Sequence, residues 1–78
     1  MAELQTTLHD IAAAIVDSPD EVKVVREEDD TTITLTLTVA PDDMGMVIGR
    51  HGRIAKAIRT VMKSAANLEG KRVIVNIK

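Results

Sequence analysis

At 78 residues with no cysteine, the chain has room for one domain spanning 1–78, and disulfides and thiolate metal sites are excluded. It has no Phe, Trp or Tyr, so Ile, Val, Leu, Ala and Met must build the core, and nucleic-acid bases cannot be stacked on aromatic rings. No apolar run reaches the roughly 18 residues of a membrane span, and the N-terminus lacks a signal-peptide pattern, so a cytoplasmic protein with no membrane partner is expected. The net charge of −2 hides an asymmetry: residues 1–40 carry two cations and nine anions, residues 41–78 eight cations and three anions.

Residues 3–17 are predicted helical, because Leu4, Leu8, Ile11 and Ile15 share one face and Pro19 stands where a helix must have ended. Residues 21–28 are β-prone, with Val22 and Val24 on one side, and "EEDD" marks a turn. Residues 32–39, "TITLTLTV", alternate without a fault: Ile33, Leu35, Leu37 and Val39 on one face, Thr32, Thr34, Thr36 and Thr38 on the other. That pattern is a half-buried strand, paired with its predecessor as an antiparallel hairpin.

Pro41 suits a first helical position, and Asp42 and Asp43 suit the positive end of a helix dipole. This short helix is predicted to stop at Gly49 in a left-handed cap. Residues 53–68 form the strongest helical pattern. Ile54, Ile58, Val61, Ala65 and Leu68 are expected to make its core stripe, with Lys56, Arg59 and Lys63 opposite and Arg53 off both stripes. Residues 72–77 make the last strand, with Val73, Val75 and Ile77 inward. The helical crossover implies that the last strand lies parallel to the second. The expected architecture is α+β: a three-stranded mixed sheet with three helices on one face and the threonine face open.

Between the two central helices stands "VIGRHGRI". Gly49 can reverse the chain with φ above zero, and Gly52 lets an anion approach the backbone. The following helix start offers free N–H groups and its positive dipole end. Arg50, His51 when it is protonated, and Arg53 add side-chain cations. The combination is suited to gripping phosphate. A bare Gly-x-x-Gly is also a common helix–helix turn, so its context carries the reading.

The stretch "VAPDDMGMVIGRHGRIAKAIRTVM" resembles the core of a KH domain, whose signature is Ile-Gly-x-x-Gly-x-x-Ile. Ile48, Gly49 and Gly52 match. The last signature position falls on Ala55, with Ile54 one place earlier, and either can take the apolar role. The element order is similar to the type II KH fold, and the chain as a whole resembles the small bacterial RNA-binding KhpA family. The resemblance implies non-catalytic binding of single-stranded RNA, with Gly49, Arg50, His51 and Gly52 as a backbone clamp. Ile48 flanks it, and Arg53, Lys56 and Arg59 are candidates for phosphate contact; for Arg59 and Lys63 a solvated helix face is the plainer reading. The resemblance also implies RNA chaperone activity, a role in cell elongation and envelope upkeep, a larger KH-domain partner of the KhpB kind, homodimers, and no cofactor.

Other classes fare worse. Neither the P-loop nor the dinucleotide-binding glycine spacing is present. His9 is read as a surface residue, and His51 has no nearby carboxylate and nucleophile to make it catalytic. Asp42 and Asp43 resemble a metal pair, but a helix N-terminus explains them better. A protein-interaction module is the serious rival: the threonine face, Val25 and Ile74 could pair with a partner, and Met1, Met44, Met46 and Met62 could adapt to one.

Overall fold

The computed structural model describes residues 3–78; Met1 lies outside the described residues. Helix α1 runs Leu4–Ile15, strand β1 Lys23–Glu28, strand β2 Thr32–Thr38, helix α2 Met44–Ile48, helix α3 Arg53–Asn67 and strand β3 Arg72–Ile77, with single 3-10 turns at Pro19–Glu21, Pro41–Asp43 and Arg50–Gly52. The strand order is β1-β2-β3. Strand β1 pairs antiparallel to β2, and β2 parallel to β3. The α+β architecture, the mixed sheet and the crossover agree with the sequence reading.

The alternation of β2 sets the layers. Ile33, Leu35 and Leu37 are completely buried beneath the helices. Their register partners Val73, Val75 and Ile77 on β3 point the same way, while Thr34 and Thr36 sit on the open face beside Ile74 and Asn76. Val25 of β1 joins that face opposite Thr36. Val25 and Ile74 are exposed, as expected.

At the tip of the β1–β2 hairpin, Asp29 Oδ1 accepts from the backbone N–H of Thr31 and of Thr32. These bonds hold the Asp29 carboxyl below its ordinary value. Arg26 faces the helix side and gathers acids from distant elements: Glu3 before α1, its strand neighbour Glu28, and Glu69 after α3. Lys71 also pairs with Glu28. Of these pairs, only Lys71–Glu28 joins an acid of the first forty residues to a base of the rest.

The helices correct two expectations. In α1, Leu4 and Leu8 are buried as predicted, but Ala12 takes the next place, and Ile11 and Ile15 are only partly covered. In α3, the buried residues are Ala55, Ile58, Met62 and Ala66. Of the predicted stripe, Ile54, Val61 and Leu68 are 37%, 49% and 73% exposed. The buried arc is rotated about 80° from the predicted one, at ~100° per residue. The cause is that α3 is apolar over about half its circumference. The larger side chains bias a sequence reading to one edge of that arc. The sheet takes the other edge, where Ala55 and Ala66 let the helix approach closely.

Asp43 is the other surprise. It is 3% exposed and makes no capping bond to its own helix. Instead its Oδ2 accepts from the Ser18 N–H at 3.0 Å, tying the loop after α1 to the start of α2. The placement at a helix N-terminus was legible; the tether was not. Among the described residues no group of three or more candidate metal ligands occurs. Among the same residues no helix is long and apolar enough to cross a membrane.

Candidate nucleic-acid interface

Helix α2 ends where Gly49 takes φ 75° and ψ 174°, a backbone region essentially restricted to glycine. A Cβ there would lie 2.6 Å from Cγ1 of Ile54. Gly49 is thus required both by its backbone and by the Ile54 side chain packed over it. His51 (φ 57°) and Gly52 (φ 73°) follow in the left-handed region. Histidine is among the few non-glycine residues that visit this region with any frequency. Nothing lies within 4 Å of where a Gly52 Cβ would be, so the side facing solvent is open to a ligand.

Two N–H groups of the corner are used by the turn itself. Gly52 N–H donates to the Gly49 carbonyl at 3.2 Å, and Arg53 N–H donates to that of Arg50. Two donors that the sequence reading left to an anion are therefore spent on the turn. The side chains of Arg50 and His51 are both exposed. Ile48, also exposed, closes α2 beside them.

Helix α3 carries the site away from the loop. At ~100° per residue its surface divides into three arcs. Ala55, Ile58, Met62 and Ala66 face the sheet. On one flank lie Ile54, Ala57, Val61 and Leu68, all exposed. On the other lie Lys56, Arg59, Lys63 and Asn67, also exposed. The polar flank faces β3: Arg59 Nε donates to the Val75 carbonyl at 3.3 Å. Arg59 is exposed like its neighbours on this flank, and it also bridges helix and edge strand. The apolar flank faces α1, where Ile11, Ile15, Ile54, Ala57, Ile58 and Val61 line a recess of about 280 Å³. Arg53 sits at its rim.

The loop, then, gathers Ile48, Gly49, Arg50, His51, Gly52 and Arg53 at one corner, and Lys56 stands one turn along the polar flank. The apolar place of the signature belongs to Ala55, which is buried, and not to Ile54.

The element order, the parallel crossover and the left-handed Gly-x-x-Gly turn are those of a type II KH domain, and the KH domain model of KhpA/KhpB matches residues 5–77. The chain belongs to the KhpA/KhpB KH-domain family. That family is non-enzymatic. The chain is 55% identical over 74 residues to the "RNA-binding protein KhpA" of Clostridium acetobutylicum, covering 95% of this chain and 99% of that one. It is 54% identical over 77 residues to the KhpA of Caldanaerobacter subterraneus subsp. tengcongensis, covering 99% of each. Among solved structures, Era of Aquifex aeolicus bound to GDP·AlF4⁻ superposes with a TM-score of 0.71 at 16% identity, over 95% of this chain and 29% of that one. Era in complex with MgGDPNP and a segment of 16S ribosomal RNA superposes with a TM-score of 0.72, also at 16% identity, over 95% of this chain and 28% of that one. The likeness to Era is one of fold.

Proposed function

We propose that the chain binds single-stranded RNA as one non-catalytic KH domain, gripping the sugar-phosphate backbone at Gly49, Arg50, His51 and Gly52. The observation that carries this reading is the open corner: a positive-φ turn, two exposed basic side chains and no Cβ at Gly52. Arg53 and Lys56 extend the positive surface, and Arg59 stiffens the wall between α3 and β3. The relatives named as RNA-binding proteins support it. With no aromatic side chain to stack bases, binding rests on phosphate contacts and an aliphatic groove, and is weak and salt-sensitive.

The deciding test is a double charge reversal, Arg50→Asp with His51→Asp, assayed for oligoribonucleotide binding and for thermal stability. Aspartate tolerates the left-handed backbone of position 51, so the fold is retained while the charge inverts. Loss of binding with an unchanged melt supports the clamp. Unchanged binding at moderate salt refutes it.

A second reading complements the first. Ile54, Val61 and Leu68 recur every seven residues on an exposed flank with small Ala57 between them, which is the spacing of a helix that packs against another helix. Self-association through two α3 helices across a two-fold axis buries this flank, like against like. It leaves the polar flank free, so RNA and partner need not compete. A larger KH-domain partner of the KhpB kind could present an equivalent helix, since one family description covers both. In this reading the protein is a cytoplasmic RNA chaperone whose weak clamp gains avidity from being paired, with the link to cell elongation and envelope upkeep that the resemblance implies.

A further inference from the structure

The polar flank of α3 does not end at the clamp. Its far end opens into a cleft of about 650 Å³ lined by Lys63, Asn67, Gly70, Lys71, Arg72 and Val73. From Arg53 to Asn67 the helix rises about 21 Å. That is about six nucleotides of a stacked strand at ~3.4 Å each, whereas a KH clamp alone holds about four.

The charges in the cleft are unequal in availability. The Lys71 ammonium is held by Glu28 and by the Asp29 carbonyl. Glu28 is shared with Arg26, and Asp29 Oδ1 is occupied by the N–H groups of Thr31 and Thr32. The acids nearest the cleft are therefore already compensated. Lys63 and Arg72 are exposed and make no ion pair among the described residues. They come from opposite walls, one from the helix and one from the start of β3. A polyanion following the flank meets two uncommitted cations.

We propose that Lys63 and Arg72, with Asn67 between them, form a second phosphate subsite that receives the same RNA strand after it leaves the clamp. The subsite rests on the clamp reading above. It makes affinity rise with strand length beyond the clamped nucleotides.

The test uses oligouridylates of about four and about ten nucleotides with the full chain and a Lys63→Gln, Arg72→Gln double variant. Both substitutions are on exposed side chains, and a melt near that of the parent verifies folding. The parent should bind the longer strand more tightly. The double variant should lose about tenfold on the longer strand, with a salt slope shallower by about 1.4 for two lost contacts, and change less than about twofold on the shorter. Equal affinity of the parent for both lengths overturns the subsite, as does an unaltered affinity and slope of the variant for the longer strand. Equal loss on both lengths overturns it too. If the parent binds neither length, the clamp itself falls and the subsite with it.

Discussion

Gly49 and Ile54 are locked together: the side chain of Ile54 fills the space where a Cβ on Gly49 would stand, 2.6 Å from Cγ1. Gly49→Ala therefore meets both a glycine-only backbone conformation and overpacking, together costing roughly 2–5 kcal/mol. Gly52→Ala meets only the left-handed backbone, since its Cβ would face open space, and costs about 1 kcal/mol. Chemical denaturation of the two variants should give a loss at least twice as large for Gly49→Ala. Equal losses would show that the Ile54 contact is not formed in solution.

The clamp variant with Asp at positions 50 and 51 should melt within about 5 °C of the parent, as exposed substitutions without strain change stability little. Its affinity for a short oligoribonucleotide should fall more than tenfold. The salt slope should become shallower by about 1.4, at ~0.7 per phosphate contact on a single strand. Titrations at several salt concentrations measure both quantities at once.

Asp43→Ala removes the acceptor of the Ser18 N–H and leaves a partly buried donor unpaired, a loss of about 1–3 kcal/mol. Asp43→Asn keeps a carbonyl oxygen in reach and should lose less. Hydrogen exchange at Ser18 reports the same bond locally: protection should vanish in the alanine variant and persist in the asparagine one.

Acid should weaken the hairpin end of the molecule. The Glu28 carboxyl is held below its ordinary value of 4.5, first by the hydrogen bond from Lys71 and then by that from Arg26. Asp29 is held below 3.8 by its turn N–H groups. A depressed folded pKa adds stability above the unfolded value, and that stability is lost as pH falls through the folded one. The melting temperature should thus fall as pH drops below these ordinary values. Glu28→Gln should flatten that dependence, and about 1 M salt should reduce the difference between parent and variant, because these groups are exposed and screened.

Val61→Asp places a charge in the middle of the exposed apolar flank of α3. Sedimentation should show the parent self-associating and the variant monomeric. Because Val61 is not in the core, the folded monomer should be no less stable by more than about 0.5 kcal/mol, and binding to a short oligoribonucleotide should persist. A parent that is monomeric at all accessible concentrations would refute self-association through this flank.

Local pattern alone determined much of this protein. The unbroken alternation of residues 32–39 dictated the buried and open faces of the sheet, because side chains on a strand must alternate. The hairpin, the helical crossover and the parallel last strand followed from chain order. "VIGRHGRI" announced a positive-φ turn with basic side chains, because few residues other than glycine relieve that backbone. Tertiary packing decided the rest. Helix α3 is apolar over two adjacent arcs, and periodicity cannot tell which one meets the sheet. Only the close approach allowed by Ala55 and Ala66 chose, leaving Ile54 and Val61 outside. Ser18 with Asp43, Arg59 with Val75, and Lys63 with Arg72 are pairs separated in the chain, and no local rule brings them together. What folding added to the legible corner was two flanks of one helix, one polar and one apolar, facing different neighbours.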